Sequence, residues 1–295
     1  MLDPVPLPDN LPATPTPFAA LPDHAVLSIS GADAAAFAHA QFANDVLALA
    51  DGHWQWNTWL TPKGRVIAVF ALVRIAADDL LLIVPDYDAA EFSNGLGRYV
   101  FRRKAAVASR TDLQVAAALQ APGLARSARI SADAGLIEID YSGSGGGRTL
   151  RVGSGFPVAS TEMMEAWRSQ DLRHGLARLE DGQREQWTPQ QLSLDRLQAF
   201  SVRKGCYPGQ EIVARTHFLG KAKRALALLQ SRLPVAPGAA VMTGETNVGS
   251  VVSTSGLISL AVLPIGHGHQ SLQVGDTPVH ELPLLNGLDR AAGEN

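Results

Sequence analysis

The last quarter of the chain has a pattern that few folds can accommodate. From Arg224 onward, short apolar runs at 225–229, 239–242, 248–253 and 257–262 alternate with turns rich in proline and glycine. Runs of this length are too short for helices that bury a core, but they match β-strands. Closely spaced short strands are typical of a small barrel or sandwich. We therefore predict a C-terminal β-barrel.

The region before residue 222 mixes strand and helix patterns. Residues 54–59 alternate in the strand period of two, and 66–74 and 80–84 continue as two further strands of a meander. Asp33 stands where a helix cap is expected, before apolar residues at helical spacing. This mixture, followed by the barrel, predicts an α+β fold.

Two further helices are predicted close to the boundary between these regions. The segment 188–191 (Thr-Pro-Gln-Gln) has the residues of a capping box with proline at the first helical position, and it predicts a helix that runs to about residue 200. Residues 210–218 are expected to form a short helix that Gly220 ends.

Length and proline content suggest how the chain divides. The 295 residues are enough for about two domains. Prolines crowd the start of the chain, and proline fixes the backbone and removes amide donors. We predict a proline-rich tail over 1–20, an α/β region over 21–222 of two intertwined subdomains, and the barrel over 223–295.

The composition excludes several classes of protein. Lysine and arginine number 25 against 28 acidic residues, so the chain has no global basic excess, and we expect no direct nucleic-acid binding, although a local basic site remains allowed. The longest apolar stretch, 66–84, is broken by charged residues and is too short to span a membrane. The N-terminal sequence lacks the features of a signal peptide, so we expect a cytoplasmic protein without membrane contacts.

Several potential ligand-binding patterns have a simpler interpretation. The glycine-rich run at 142–147 lies between two strand patterns, which favours a hairpin tip over a phosphate loop. The pair His267 and His269 has no further ligand at metal-binding spacing, so we predict a surface turn and no metal site. The group Trp54, Trp56 and Trp59 favours core packing, with stacking on a flat ligand as the alternative.

The single cysteine lies in an unusually basic stretch. Residues 203–224 carry a net charge of +5, which leaves −8 on the rest of the chain, and a second basic stretch covers 98–110. If the two stretches face each other, they form a basic mouth for an anionic ligand; otherwise they are two solvated faces. Cys206 precedes a predicted helix and neighbours Arg203 and Lys204, and both features stabilise a thiolate. A reactive thiol is therefore predicted, with a buried structural cysteine as the alternative.

The residues around this cysteine carry a specific resemblance. The segment 204–215 (Lys-Gly-Cys-Tyr-Pro-Gly-Gln-Glu-Ile-Val-Ala-Arg) closely resembles the K-G-C-Y-x-G-Q-E signature of the folate-binding YgfZ family, from which it departs only in the stiffer Pro208. Weaker matches follow the same family at 44–46 (Asn-Asp-Val), at 60–65 (Leu-Thr-Pro-Lys-Gly-Arg) and at 178–182 (Arg-Leu-Glu-Asp-Gly). That family is related to the T-protein of the glycine cleavage system, a tetrahydrofolate-dependent aminomethyltransferase.

The resemblance implies a fold, a cofactor and a set of partners. It implies a ring-like arrangement of α/β subdomains around a central folate pocket, with a C-terminal β-barrel. It implies tetrahydrofolate or a one-carbon derivative as ligand, with the pterin held by the carboxylate of Glu180, which can accept two hydrogen bonds. It also implies iron–sulfur client or assembly proteins as partners, including enzymes that modify tRNA.

The resemblance also assigns roles to single residues. Cys206 would carry the chemistry, and Lys204 would keep its thiolate formed. The remaining matched positions would contribute to folate binding, with Arg215 on anionic groups; they are Arg178, Glu180, Asn44, Tyr207, Gln210, Glu211 and Arg215.

One departure from the T-protein bears on activity. Paired aspartates follow its Pro-x-Gly turn, and one of them assists catalysis, whereas Ala68 and Val69 stand here. The first hypothesis is therefore a folate-binding accessory factor for iron–sulfur enzymes, in which Cys206 handles a one-carbon or sulfur species or ligates a cluster shared with a partner. A one-carbon transferase is the second hypothesis, and a non-catalytic assembly protein with a vestigial folate pocket is the third.

Overall fold

The computed structural model describes residues 16–220, 222–266 and 271–290. Three sheets and four α-helices make up these parts of the chain. In chain order the elements are β1 (Ala19–Ala20), β2 (His24–Ser30), α1 (Ala34–Gln41), β3 (His53–Leu60), β4 (Val66–Ala76), β5 (Asp79–Pro85), α2 (Ala89–Gly97), β6 (Ala106–Ser109), β7 (Gln114–Ala118), β8 (Ser131–Asp133), β9 (Leu136–Asp140), β10 (Thr149–Gly153), α3 (Thr161–Arg173), a 3₁₀ turn (Asp181–Gln183), α4 (Gln210–Phe218), β11 (Arg224–Ser231), β12 (Ala240–Thr243), β13 (Thr246–Ser255), β14 (Ile258–Pro264), β15 (Leu272–Val274) and β16 (Thr277–Leu282).

The first sheet contains the predicted meander at its centre. Its strand order is β3-β4-β5-β2-β6, and the pairs are antiparallel. Because side chains alternate along β3, Trp54 and Trp56 enter the largest core cluster, whereas Trp59 packs against Phe92 of α2 on the other face. All three tryptophans are buried, which confirms the core-packing interpretation.

The second sheet contains the predicted hairpin of β9 and β10 and the last two residues of the predicted tail. Its order is β1-β7-β10-β9-β8, with β9 and β10 antiparallel as the sequence predicted. Ala19 and Ala20, which the predicted division placed in the tail, pair with Ala117 and Ala116 of β7. Residues 1–15 of that tail lie outside the described residues, as does the pair His267 and His269.

The C-terminal part confirms the predicted barrel. Six strands close in the order β11-β14-β13-β12-β15-β16, and their apolar side chains fill the interior. After β16 the chain returns to the α/β region, where Trp56 donates its indole N–H to the carbonyl oxygen of Leu288 at 2.7 Å. No helix within the described ranges is both long and apolar enough to cross a membrane.

The helix predicted from residue 188 to about residue 200 is wrong. The capping box does form, since Gln191 Oε1 accepts from the backbone N–H of Thr188 at 3.0 Å. Propagation stops because Ser193 adopts a left-handed backbone (φ 49°) while its hydroxyl accepts from the N–H of Leu226 at 3.0 Å. The segment instead continues as a series of turns, and tertiary contact with the barrel overrides the local helix signal.

Candidate functional site

Two of the sequence motifs meet at a contact between glycines. The turn over 61–64 is closed by the N–H of Gly64, which donates to the carbonyl oxygen of Thr61 at 2.9 Å. Gly209 of the signature segment lies against this turn with φ +81°, and a Cβ atom on it would lie 2.7 Å from Cα of Gly64 and 2.7 Å from the Thr61 oxygen. The signature segment is thereby fixed to the end of β3 and the start of β4, and α4 begins at the next residue.

Lys204 fixes the same segment from the other side. Its ammonium donates to the carbonyl oxygens of His39 and Phe42 at the end of α1, and to that of Asn44 at 3.2 Å. The residue is buried, and burial lowers the pKa of its amine to about 8. All three N–H donors are used on backbone carbonyls, so the structure gives Lys204 a positioning role, and its predicted stabilisation of the Cys206 thiolate stays a prediction.

Tyr207 and Gln210 complete the support of the loop. The Tyr207 hydroxyl donates to the carbonyl oxygen of Ser201 at 3.1 Å, and burial raises the pKa of this phenol to about 12. Gln210 donates its side-chain amide to the carbonyl oxygen of Lys204 at 3.2 Å. Both side chains therefore face the protein and stabilise the loop through these hydrogen bonds.

Cys206 is exposed on this supported loop. The alternative of a buried structural cysteine is therefore excluded. Arg203, Glu211 and Arg215 of the same part of the chain are exposed as well, and they carry two positive charges and one negative charge. The thiol is thus accessible on a loop whose neighbouring side chains are held by hydrogen bonds.

Asn44 lies beside the signature segment, but its amide group is used internally. Its Nδ2 donates to the carbonyl oxygens of Trp56 at 2.8 Å and Gln198 at 2.6 Å. A cavity of about 520 Å³ opens next to it, lined among others by Arg203 and His217. The side chain of Asn44 forms the wall of this cavity and has one free lone pair at most for a ligand.

A line of alternating charges runs from the core to the surface on the α3 side. Each neighbouring pair is joined by an ion pair at 2.5–3.3 Å, and four of the six members were not found from sequence. The six members, from inside to outside, are Arg148, Asp171, Arg178, Asp86, Arg168 and Glu180. The four residues that the sequence analysis missed come from distant parts of the chain. The Arg-x-Glu motif was the one sequence signal for this line of charges, and it contains the other two members.

Arg178 cannot serve as the predicted folate contact. It is fully buried, and its guanidinium donates to Asp86 (2.6 Å), Asp171 (3.0 Å) and Asp23 (2.6 Å). Burial alone would lower its pKa, but the carboxylates outweigh burial and raise it. With its guanidinium enclosed by three carboxylates, Arg178 joins α3 to the residues just before β2 and just after β5 and has a structural role.

Glu180, in contrast, is open to solvent. Its side chain is 53% exposed, and its Oε1 accepts from Arg168 Nη2 at 2.5 Å. Within the described parts of the chain no hydrogen bond reaches its second oxygen, Oε2. A carboxylate held by one arginine with a free oxygen fits the donor groups of a pterin, so this residue is compatible with its predicted role.

The positions that lack the expected acids are buried in the first sheet. Ala68 and Val69 of β4 are each 4% exposed, and they pack into the two clusters on opposite faces of the sheet. Neither side chain has a polar atom. The two positions that lack the expected carboxylates are therefore occupied by closely packed apolar side chains.

The two basic stretches lie at the two ends of α1. The backbone N–H of Lys104 donates to Asp33 at the start of that helix, whereas Lys204 binds carbonyl oxygens at its end. An eight-residue helix is about 12 Å long, which gives the scale of the separation between these two contacts. Lys204 is buried, so it adds no charge to the exposed basic surface.

A group of buried polar atoms around α3 was not predicted from the sequence. Trp167 Nε1, Gln170 Oε1 and Arg148 Nη2 are buried without a hydrogen-bond partner within the described residues. The Arg148 guanidinium lies 4.8 Å from the ring of Trp167.

Metal-ligating side chains are not gathered at one place in the described ranges. No group of three or more histidine, cysteine or acidic side chains there is arranged to hold a metal ion.

Comparison with known proteins gives relatives along most of the chain. The chain is 28% identical over 214 residues to an uncharacterized protein of Haemophilus influenzae, covering 72% of this chain and 73% of that protein. It is 25% identical over 249 residues to the tRNA-modifying protein YgfZ of Aliivibrio fischeri, covering 74% and 72%, and 26% identical over 241 residues to that of Colwellia psychrerythraea, covering 72% and 71%. No protein-family model matches the chain.

Among solved structures, the glycine cleavage system aminomethyltransferase T from Bartonella henselae matches with a TM-score of 0.67. The superposition covers 90% of this chain and 84% of that chain at 14% sequence identity, which shows the fold alone. The mixed sheets with few helices and the closed six-strand barrel belong to this architecture. The chain is thus homologous to the YgfZ proteins and has the fold of aminomethyltransferase T.

Proposed function

We propose that this protein is a tetrahydrofolate-binding accessory factor that maintains iron–sulfur enzymes, among them enzymes that modify tRNA, and that it acts through Cys206. The exposed thiol on a loop fixed by Lys204 and Gly209 is the observation that carries the proposal. Relatives named tRNA-modifying protein YgfZ support the connection with tRNA modification.

The folate part of the proposal rests on Glu180. Its free carboxylate oxygen would accept from the amino and ring N–H groups of a pterin, while Arg168 holds the other oxygen in place. Arg215 and Arg203 are exposed cations available for the anionic tail of the ligand. Bound tetrahydrofolate would supply a carrier for a one-carbon group.

The thiol part of the proposal follows from how the loop is built. Residues on both sides of Cys206 are held by partly buried hydrogen bonds, from Lys204 on one side and Tyr207 on the other. A side chain between two fixed neighbours is presented with little loss of conformational entropy when a partner binds. Cys206 would then act either as a nucleophile or as one ligand of a cluster whose other ligands come from a client protein.

A folate-dependent aminomethyltransferase is the second candidate, because the fold is that of aminomethyltransferase T. The apolar packing of Ala68 and Val69 disfavours this activity, since no carboxylate is available there to manage the proton at the folate nitrogen. The third candidate, an assembly protein with a vestigial pocket, predicts no folate binding at all.

The deciding experiment measures client enzymes in cells that lack the protein. Complementation with wild type should restore the activity of iron–sulfur enzymes, including those that act on tRNA, and Cys206→Ser should not. Gly205→Ala is the matched control, because a Cβ on this exposed neighbour would meet no atom within 4 Å. Full complementation by Cys206→Ser would rule out the thiol mechanism, and an unchanged client profile in the deletion strain would rule out the accessory role.

A further inference from the structure

The loop between α2 and β6 has an unusual surface. It presents two aromatic rings among cations, with Phe101 86% exposed and Tyr99 43% exposed. Among the described residues, the other exposed large aromatic ring is that of Phe218 in α4, which is 66% exposed, so this loop is the place where two such rings lie close together in sequence. The exposed residues of this loop, which we call the arginine–phenylalanine loop, are Arg98, Tyr99, Phe101, Arg102, Arg103 and Lys104.

The cations of this loop have no acidic partners. In the parts of the chain that the structure describes, no carboxylate lies within ion-pair distance of the side chains of Arg98, Arg102, Arg103 or Lys104. Several other arginines at the surface are held by carboxylates, namely Arg74 by Asp51, Arg110 by Asp112 and Arg151 by Glu138. The loop therefore gathers four unpaired cations within seven residues, whereas exposed arginines without an acidic partner elsewhere in the described ranges, such as Arg129, are not clustered in this way.

Backbone contacts hold the loop in shape. The N–H of Tyr99 donates to Leu96 at 3.1 Å, and that of Arg103 donates to Val100 at 3.0 Å. The N–H of Lys104 donates to the carboxylate of Asp33 at 2.7 Å. Phe101 has a φ of 47°, a left-handed conformation that is uncommon for a bulky side chain. The exposed ring of Phe101 makes no packing contact among the described residues that would offset this unfavourable backbone conformation. We take this as an indication that the ring binds a ligand.

We propose that the arginine–phenylalanine loop binds single-stranded nucleic acid. Unstacked bases pack on aromatic side chains regardless of sequence, and Phe101 and Tyr99 provide two such rings. Guanidinium groups bind phosphate oxygens in a bidentate manner, and three of the four cations are arginines. The loop thus combines the two elements that a sequence-tolerant binding surface for a single strand requires.

The charge of the whole chain favours a strand over an anionic membrane. Four positive charges lie in the loop, so the chain of net −3 carries −7 elsewhere. The rest of the chain is therefore net acidic, which opposes broad contact with an anionic bilayer, whereas a flexible strand can contact the loop alone. The overall composition excluded a dedicated nucleic-acid protein, but it left room for a local basic site of this kind.

The binding test uses fluorescein-labelled oligo(U) and oligo(dT) of about 12 nucleotides, read by anisotropy with the full-length protein. Phe101→Ala should weaken binding by about 5- to 100-fold, because a stacked base is lost. The matched control is Leu124→Ala, which removes a side chain that is 75% exposed on another part of the surface. Comparable affinity for both oligonucleotides indicates recognition of bases and phosphates, and preference for oligo(U) indicates RNA.

The contribution of charge is measured through the salt dependence. Arg102→Gln should reduce the slope of log K against log salt by about 0.7, whereas Arg129→Gln, an exposed arginine of the second sheet region, should leave it unchanged. Vesicles in which one third of the lipid is anionic test the alternative that the loop binds a membrane. No oligonucleotide binding at about 50 mM salt, equal binding by wild type and Phe101→Ala, or binding to vesicles alone would each overturn the proposal. Because the loop lies at the end of α1 remote from Lys204, these outcomes are independent of the folate and thiol tests.

Discussion

Gly64 and Gly209 lie in direct backbone contact, each with a positive φ, so that neither position has room for a Cβ atom. On Gly64 a Cβ atom would lie 2.9 Å from Cβ of Ile212, the second exposed residue of α4. Two motifs that stand about 145 residues apart in sequence are joined here. The contact fixes where the signature segment leaves the sheet, and hence where Cys206 is presented.

The glycine contact predicts a strong local sensitivity to substitution. Gly209→Ala should lower the free energy of unfolding by about 2–4 kcal/mol, because it combines overpacking against a backbone with a left-handed conformation. Gly205→Ala, with open space around it, should stay within about 0.5 kcal/mol of wild type. Urea denaturation of both variants measures the difference. Equal stability of the two variants would contradict the described contact.

Lys204 makes a second stability prediction. Lys204→Ala should cost about 2–4 kcal/mol, because it leaves three carbonyl oxygens at the end of α1 without their shared donor. Arg203→Ala is the matched control, since Arg203 is an exposed neighbour, and it should change stability by less than about 0.5 kcal/mol. Denaturant midpoints give both values. A small effect of Lys204→Ala would indicate that its ammonium is not held in this site.

The sequence was most informative where one pattern determines one structure. Alternation over 54–59 predicted β3, short punctuated runs predicted the barrel, and the signature segment pointed to the family. It was least informative where a distant contact decides. The turn at Ser193 and the enclosure of Arg178 depend on partners elsewhere in the chain, which no local spacing reveals.

The candidate site shows the same division. The motif located Lys204 and Tyr207 next to Cys206, but it could not show that both side chains point inward while Cys206 and Glu211 are exposed. A residue within a recognised motif can support the backbone or contact a ligand, and only the three-dimensional contacts separate the two roles. Arg178 and Glu180 illustrate this, since they are two residues apart and differ completely in exposure.

Folate binding is expected to depend on Glu180. Glu180→Gln should weaken tetrahydrofolate binding by about 1–3 kcal/mol, the scale of a lost charge-assisted hydrogen bond. Asp181→Asn, which alters a carboxylate that is 90% exposed and paired with Arg184, should bind normally. Calorimetry and the shift of the thermal midpoint on adding ligand measure both. No heat and no thermal shift for the wild type at millimolar ligand would refute folate binding.

Acid should destabilise the protein through His174. The imidazole is buried, its Nδ1 contacts the carbonyl oxygen of Gln170 at 2.7 Å, and burial lowers its pKa to about 4, below the unfolded value of about 6.5. The unfolded chain therefore binds this proton first, so stability is full above pH 6.5 and falls by about 3 kcal/mol as the pH drops to about 4.

His174→Gln should flatten this part of the pH dependence, because the side chain no longer titrates. The exposed His217→Gln is the control, and it should retain the slope of the wild type. Urea midpoints at several pH values between about 4 and 7 provide the measurement. Equal slopes in the wild type and His174→Gln would show that this imidazole is not buried in its neutral form.

The last prediction separates the accessory factor from the transferase: the protein should bind tetrahydrofolate but fail to produce methylene-tetrahydrofolate from an aminomethylated lipoyl carrier. A positioned carboxylate contributes about 10²–10⁴-fold to such proton transfers, and Ala68 and Val69 provide none. Asp45, the acid of the motif at 44–46, has its Oδ1 in contact with His39 at 3.2 Å and with the N–H of Ala48 at 3.1 Å. An aminomethyltransferase T assayed in parallel is the positive control. Turnover by this protein at about 1 per second or faster would refute the accessory-factor proposal and require a catalytic group elsewhere in the fold.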